Sequence, residues 1–207
     1  MRRPFVAPAT EEAHRALADS DDATARRSRG AGRRRGVAMA VGSAVHRVLE
    51  AADLEGGLLA RAEDLARALV GSVPPAEIDD GVARAQALLA RLAASPLARR
   101  LAAAAPHVLG REVPVLLPAE ADGEGPVGYV AGVIDLLLRD PATGEVVVVD
   151  YKTDQVEAGE ELDRRAAAYA LQGRAYARAV QEALGLQSVP RVELWFLWPG
   201  LARQVDS

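Results

Sequence analysis

The sequence of 207 residues contains no cysteine. This absence excludes disulfide scaffolds, thiolate zinc sites, cysteine nucleophiles and iron–sulfur clusters. The sequence also has no apolar run that approaches the roughly 20 residues of a membrane span, and its start, MRRPFVAPATEEAH, lacks the apolar segment of a signal peptide. We therefore expect a cytoplasmic protein without membrane association.

Aromatic residues are scarce at 4%, whereas half of the residues are hydrophobic and alanine is abundant. Such a chain can bury a core, which excludes disorder along its whole length. We expect this core to be aliphatic and largely helical, because alanine is the strongest helix former. The length suits one domain, or one domain with a tail.

Lysine occurs once, at position 152, while 24 of the 25 basic residues are arginine and asparagine is absent. High-GC coding accounts for the general bias, since it favours arginine and alanine codons. A lysine is a compact charge whose pKa responds to its surroundings, whereas an arginine is a planar fork that stays charged. Lys152 therefore marks a position to examine for chemistry that arginine would not serve.

Residues 1–36 differ in charge from the rest of the chain. They carry nine arginines and five acids, a net +4, so the remaining residues carry −8 to give the total of −4. Six of the ten residues 26–35 are arginine, with few apolar residues among them. We interpret residues 1–36 as a flexible arginine-rich arm or linker, with phosphate contacts to a nucleic acid as its functional alternative, and residues 37–207 as the folded domain.

From Val37 onward the pattern predicts helices, then strands, then one long helix and a last strand. Helical spacing of apolar residues predicts a helix that stops at Gly56-Gly57, followed by alanine-rich helices at about 58–70, 76–93 and 96–104. The runs REVPVLLP, VGYVAGVIDLLLRD, EVVVVDYKT and RVELWFLW predict strands. Residues 160–184 predict an amphipathic helix closed by Gly185. This order favours an α/β sandwich with a mixed sheet.

The turn PATG joins two of these strands into a hairpin that carries Asp135 and Asp150. If the turn has four residues, Asp140 pairs with Glu145 and Asp135 lies opposite Asp150, whereas a slip of one residue separates their faces. Lys152 points to the same side of its strand as Asp150. Two carboxylates and an ammonium suit Mg²⁺ or Mn²⁺ with a phosphate, the lysine orienting or deprotonating water. Taken alone, an aspartate at a strand end is often a turn or cap residue.

Further candidates lie outside the hairpin. His46 sits on the first helix, and imidazole is an acceptable metal ligand beside carboxylates. Glu112 opens the strand REVPV and is a candidate third carboxylate. Gln172 and Tyr176 are four residues apart on the long helix, with Tyr169 one turn earlier, where they could hold a phosphate or stack a base. Taken singly, each of these residues also fits an ordinary surface or boundary position.

Five motifs in order, GSAVHRVLE, E-V-P, G-V-I-D, VVDYKT and Q-x-x-x-Y, resemble the PD-(D/E)xK nuclease domain at the C-terminus of RecB- and AddA-type helicase–nucleases. The motifs span about residues 37–198. The resemblance implies a restriction-endonuclease-like α/β core, a mixed sheet flanked by helices with an N-terminal helical segment. It also implies Mg²⁺-dependent hydrolysis of DNA phosphodiester bonds, with Mn²⁺ as an alternative metal. Members that hold an iron–sulfur cluster with four cysteines are excluded, because the chain has none.

Carried over residue by residue, the resemblance implies a set of metal ligands and a set of catalytic or supporting residues. The implied metal ligands are His46, Asp135, Asp150 and the backbone carbonyl of Tyr151. The implied catalytic residues are Lys152, Asp135, Asp150 and Glu112. The implied supporting or DNA-binding residues are Gln172 and Tyr176.

The resemblance implies DNA as substrate, exo- or endonuclease activity, and a UvrD-like helicase motor in the same or a partner chain. Such proteins act in recombinational repair of double-strand breaks, here at the bacterial nucleoid. A net −8 over residues 37–207 disfavours independent DNA binding, so we favour a partner that delivers the DNA, with the arginine arm as tether. Two alternatives are a catalytically weak DNA-binding or scaffolding module of the same fold, and an unrelated α/β interaction domain whose acids are caps.

Overall fold

The computed structural model describes residues 6–8, 29–56, 58, 62–118 and 129–205. The helices in this part of the chain are α1 Arg29–Ala51, α2 Ala62–Leu69, α3 Ile78–Ala94, α4 Pro96–Ala104 and α5 Glu160–Leu184. Its strands are β1 Val6–Pro8, β2 Val108–Pro118, β3 Tyr129–Arg139, β4 Val146–Lys152, β5 Arg191–Phe196 and β6 Leu201–Val205. Short 3-10 helices lie at Pro75–Glu77 and Ala105–His107.

The six strands form one mixed sheet, as the sequence predicts. Its order is β1-β3-β4-β5-β6, and β2 pairs with β3 along the other edge of β3. The β1–β3 and β4–β5 pairs are parallel, and the other pairs are antiparallel. The long strand β3 therefore contacts β2 along one edge and, in succession, β1 and β4 along the other.

Local sequence signals fix the turns that bring the elements together. The Asp140 N–H donates to the Glu145 carbonyl at 2.8 Å, and Gly144 takes a left-handed φ of 76°. The hairpin loop thus has the four residues that the sequence predicts. Helix α5 spans the predicted residues 160–184 and ends at Gly185, whose φ of 61° is the left-handed conformation of a helix cap.

Two apolar cores lie on the two faces of the sheet, and β4 is buried on both. Helices α1 to α4 pack against one face, where Val147, Val149 and Tyr151 contribute. Helix α5 packs against the opposite face, where Val146 and Val148 contribute. Because side chains alternate along a strand, Asp150 and Lys152 continue the row that faces α5. The end of β4 therefore places charged side chains between the sheet and this helix.

The structure differs from the sequence prediction at the N-terminal boundary. Helix α1 begins at Arg29 rather than near Val37, and β1, at Val6–Pro8, pairs with the start of β3. Residues 29–36 are therefore helical, not part of a flexible arm, and residues 1–5 and 9–28 of the predicted arm lie outside the described residues. A helix extends at little cost per residue once it is nucleated, and arginine is a good helix former.

The sequence pattern also omits β1 and β6, two short strands that are defined by pairing with β3 and β5. Among the described residues, no helix is long and apolar enough to cross a membrane.

Candidate active site

Three acidic residues lie in a row across the three strands β2, β3 and β4. The β2–β3 pairs Arg111↔Leu136 and Val113↔Ile134 bracket Glu112 and Asp135. The β3–β4 ladder ends at Leu136↔Val149, so Asp150 is the next residue in the register that places it opposite Asp135. The register predicted from the turn is therefore present in the structure. Asp135 and Asp150 are both buried.

The carboxylate of Asp135 joins β3 to α1 and to β4. Its Oδ1 lies 2.7 Å from His46 Nδ1, and its Oδ2 accepts a hydrogen bond of 2.5 Å from the backbone N–H of Tyr151. On either side of it, Ile134 and Leu136 belong to opposite cores, so the regular alternation of β3 is broken at this residue. The carboxylate therefore binds its partners at the point where the β3–β4 ladder stops.

A glycine lets α1 approach the end of β4 closely enough for His46 to reach Asp135. A Cβ atom added at Gly42 would lie 2.9 Å from Thr153 Oγ1, which is too close for any ordinary contact. His46 follows one turn later on the same helix. The glycine of the GSAVH motif thus sets the distance between the histidine and the sheet.

His46, Glu112 and Asp135 each offer a ligand atom, and these atoms all lie within 4.8 Å of one another. Carboxylate oxygens are the preferred ligands of Mg²⁺ and Mn²⁺, and an imidazole is compatible with Mn²⁺. A further oxygen is close by. Asp150 Oδ2 is buried, and within the described residues no hydrogen bond of ordinary geometry reaches it, although the Lys152 ammonium is its ion-pair partner. The donor set therefore fits a hard divalent cation.

Burial and mutual repulsion dominate the electrostatics of this cluster. Burial would lower the pKa of His46, but the hydrogen bond to Asp135 and the charges of Asp135, Asp150 and Glu112 outweigh it, so that pKa is raised. Burial raises the pKa of Glu112, and the charge of Asp135 raises it further. Burial also raises the pKa of Asp150, which the Lys152 ammonium offsets only in part. The neighbouring protein cations therefore do not neutralise these carboxylates fully, which is typical of a site that binds a metal cation.

Lys152 is held on the α5 side of the sheet. Its ammonium is paired with Asp150 and donates to Gln172 Oε1 at 2.9 Å. The Gln172 amide then donates to the Tyr176 hydroxyl at 2.9 Å, and the Lys152 ammonium lies 3.8 Å from the centre of the Tyr169 ring. Helix α5 therefore presents three side chains at a spacing of three and four residues to one buried lysine.

The structure thus divides the predicted residues into two adjoining groups. His46, Glu112 and Asp135 form the first group, and Asp150, Lys152, Gln172 and Tyr176 form the second. Gln172 and Tyr176 are buried and hydrogen-bonded toward Lys152. That they support the lysine, hold a phosphate or stack a base stays a prediction. The backbone N–H of Tyr151 contacts Asp135, and ligation of metal by the Tyr151 carbonyl stays a prediction.

Sequence reasoning missed two contributors to the second group. Asp154 accepts a hydrogen bond from the Tyr169 hydroxyl at 3.2 Å, and its only sequence signal is its position two residues after Lys152. A Cβ atom added at Gly132 would lie 2.5 Å from Tyr176 Cε1, so the glycine of the G-V-I-D motif makes room for the Tyr176 ring. The motif itself contains the signal, since a glycine inside a strand marks close approach of another group.

Comparison with known proteins adds independent findings. The chain matches the family model described as the PD-(D/E)XK nuclease superfamily over residues 22–205. It is 37% identical over 115 residues to an ATP-dependent helicase/nuclease protein of Carboxydothermus hydrogenoformans, a match that covers 53% of this chain and only 9% of that relative. The solved structure of SSO0001 aligns with 96% of this chain and 77% of the other at 15% identity, with a TM-score of 0.37. Because this family match covers most of the chain, the chain belongs to the PD-(D/E)XK nuclease superfamily.

Proposed function

We propose that this chain is a deoxyribonuclease domain that hydrolyses DNA phosphodiester bonds with the help of Mg²⁺ or Mn²⁺. The observation that carries the proposal is the buried pair of Asp150 and Lys152, set directly beside the cluster of His46, Glu112 and Asp135. A buried ion pair adds little net stability by itself, so its place beside three more ionisable groups favours a chemical role.

The residues that would hold the metal are His46, Glu112, Asp135 and Asp150, together with the Tyr151 carbonyl. A bound divalent cation would neutralise the repelling carboxylates, polarise the phosphate and lower the pKa of a bound water. The chain supplies the remaining functions. Asp135 orients the His46 ring through the contact at Nδ1, which leaves the opposite side of the imidazole to face other partners.

We assign to Lys152 the stabilisation of the negative charge that develops on the phosphate. Its ammonium carries three donors, and Gln172 and Asp150 hold it in one orientation. A positively charged donor fixed before the reaction stabilises a developing oxyanion without reorganisation, and it can also orient the attacking water. Gln172 is in turn oriented by Tyr176, so the lysine is held by a chain of buried hydrogen bonds.

We further propose that a helicase motor delivers the DNA. The chain from Arg29 onward, where α1 begins, carries a net −4, which opposes independent binding to a polyanion. The relative with 37% identity is named as part of a helicase/nuclease, and the match occupies 9% of its length. A UvrD-like motor in the same or a partner chain would fit both observations, with a role in recombinational double-strand-break repair at the bacterial nucleoid. Exonuclease and endonuclease action are both compatible with the site.

The second candidate function is a catalytically weak DNA-binding or scaffolding module. Its supporting observation is the negative charge of the folded part, which a helicase-bound scaffold would tolerate. In a scaffold, Lys152 would be a structural cation, and another cation could take its place. In a nuclease, the position demands a compact ammonium.

The Lys152→Arg variant separates the two functions. Plasmid and single-stranded DNA would be incubated with the wild type, with this variant and with Arg178→Lys, an exchange at an exposed arginine, in Mg²⁺, Mn²⁺ or EDTA. We expect metal-dependent cleavage that EDTA abolishes, turnover reduced about 100-fold or more for Lys152→Arg with DNA binding retained, and full activity for Arg178→Lys. Near-wild-type cleavage by Lys152→Arg would contradict the mechanism, and an inactive wild type would favour the scaffold.

A further inference from the structure

The Lys152 ammonium, which contacts Asp150 and Gln172, also lies over the aromatic ring of Tyr169. We propose that Tyr169 is a positioning residue, which fixes the Lys152 ammonium through the face of its ring. This inference rests on the proposed nuclease function, because it assigns the residue a part in holding the lysine of that reaction. Neither the family motifs nor the predicted site gives the ring this role.

The geometry is that of a cation–π contact in a dry environment. Lys152 Nζ lies 3.8 Å from the centre of the Tyr169 ring, well within the range of about 6 Å over which such contacts act. Tyr169 is 3% exposed and Lys152 is 6% exposed. Because water is excluded from both partners, the attraction between the cation and the ring is stronger than at a surface.

The ring supplies what the two oxygen partners leave open. The ammonium donates to Gln172 Oε1 and is ion-paired with Asp150, and the Tyr169 ring is its third neighbour. Asp150 also belongs to the carboxylates that a metal would attract, so its hold on the lysine is shared. Gln172 and the Tyr169 ring are three residues apart on α5, and they keep the ammonium against this helix independently of Asp150.

The ring is itself oriented from its outer edge. The Tyr169 hydroxyl donates to Asp154, at 3.2 Å to Oδ2, and Asp154 also pairs with Arg165 at 3.7 Å. Ring and hydroxyl therefore have separable tasks. The ring contacts Lys152, whereas the hydroxyl anchors the ring to the segment that follows β4. Tyr169→Phe removes only the second task, and Tyr169→Leu removes both.

The contact can be observed without metal or substrate, because Lys152 is the only lysine in the chain. Protein made with lysine labelled with ¹³C at the ε carbon gives a single lysine signal by NMR. We expect the ring to shift the ε-CH₂ signal upfield in the wild type and in Tyr169→Phe, and we expect Tyr169→Leu to return it toward the value of free lysine. Val180→Ala, a loss of buried volume elsewhere on α5, serves as the control and should leave the signal unchanged.

The catalytic consequence is tested by weakening the ring without changing its shape. Phenylalanines with one, two and three fluorines at position 169 deplete the ring face of electron density in steps. We expect kcat to fall with each fluorine, by about tenfold over the series, while KM for DNA stays constant. Tyr169→Leu should lose at least as much, and Tyr169→Phe should stay within about threefold of the wild type.

The outcomes distinguish this inference from the proposed function. If the wild type is active but kcat does not change over the fluorine series, the positioning role is overturned and the nuclease proposal stands. The same holds if the ε-CH₂ signal of Lys152 is unchanged in Tyr169→Leu. A folded wild type that cleaves no DNA with either metal would overturn both. A graded loss of kcat over the fluorine series would establish the role even if Tyr169→Leu folds poorly, because the fluorinated side chains preserve the packing.

Discussion

The charge of a single imidazole depends on the competition between burial and neighbouring carboxylates in this site. The His46 Nδ1–H donates to the Asp135 carboxylate at 2.7 Å, and the charges of Glu112 and Asp150 add to that of Asp135. A neutral ring can bind a metal, whereas a protonated ring cannot. The raised pKa of His46 means that, without a cation, the imidazole keeps its proton above the pH at which a free histidine loses it. Below this raised pKa, metal binding must therefore displace a proton.

This reasoning predicts the pH dependence of the metal-free fold. The pKa of folded His46 lies above the ordinary value of 6.5, so protonation stabilises the fold fully below pH 6.5, and this stabilisation is lost as the pH rises through the folded pKa. We expect the wild type in EDTA to lose more stability over this window than His46→Gln, by urea unfolding. His107→Gln, at an exposed histidine, should behave as the wild type does.

An NMR titration of His46 tests whether Asp135 is the cause of its raised pKa. NMR of the ring nitrogens should give a lower pKa for His46 in Asp135→Asn than in the wild type, because the variant removes the negative charge while burial remains. The affinity for Mn²⁺ should fall at low pH in the wild type as the ring takes up its proton. An unchanged pKa in Asp135→Asn would show that Asp135 does not control the charge of His46.

At the scale of the element, strand β2 holds Glu112 in a backbone conformation that its side chain disfavours. Glu112 has a φ of 47°, and it is the only non-glycine residue with a positive φ among the described residues. It lies in the row with Asp135, next to the point where the β2–β3 register shifts between Val108 and Gly110. Such strain persists only where the surroundings enforce it, and it occurs often at functional sites. The strained backbone therefore costs stability, but it places the Glu112 carboxylate beside His46 and Asp135.

A pair of substitutions isolates this strain. Glu112→Gly and Glu112→Ala both remove the carboxylate, but only glycine tolerates the left-handed backbone. We expect the Gly variant to be more stable than the Ala variant by about 1 kcal/mol in urea unfolding without metal, while both lose most of their activity. The matched pair Val115→Gly and Val115→Ala, in the same strand, should show the opposite order. Equal stability of the two Glu112 variants would contradict the strain.

The elements differ in how well sequence alone predicts them. The hairpin register follows from turn chemistry, because Asp140 and Glu145 close a loop that contains Pro141 and Gly144, and the pairing of Asp135 with Asp150 then follows. Helix α5 is predicted with its observed limits, because its apolar spacing ends at Gly185. The start of α1 is not predictable in this way, because residues 29–36 show no apolar stripe and are helical by extension from Val37.

The side-chain groups of the site are less predictable than the elements. Sequence spacing indicates that Asp150 and Lys152 share a side of β4, but not that α5 meets them with Gln172 and Tyr169. Two elements that are distant in sequence decide those contacts through packing. Equally, the approach of His46 to Asp135 depends on the missing side chain of Gly42, whose effect appears only when α1 lies against the sheet.

At the scale of the whole molecule, the net positive charge that was predicted for a flexible arm of residues 1–36 lies in the first residues of helix α1. Residues 1–28 contain five arginines and five acids, a net charge of zero. The four arginines of residues 29–36 carry the whole +4, and this segment is the beginning of α1. At a rise of about 1.5 Å per residue, these arginines lie about 17 to 26 Å along the helix axis from His46. The basic segment and the metal-ligand candidate thus share one rigid element.

Two truncations test whether this segment supplies the phosphate contacts. Removal of residues 1–28 takes away no net charge and, of the described residues, only the three-residue strand β1. We therefore expect the slope of log affinity for DNA against log salt, and the melting temperature, to change little. Removal of residues 1–36 deletes nine arginines and five acids, a net +4, together with the first turns of α1. We expect it to reduce that slope by about 3 to 4 on duplex DNA. A triple variant of the full chain serves as the control, because it removes cations without removing the first turns of α1. This variant, Arg33→Gln with Arg34→Gln and Arg35→Gln, should reduce the slope by a similar amount. A slope that already falls on removal of residues 1–28, or that stays constant in the triple variant, would place the phosphate contacts elsewhere in the molecule.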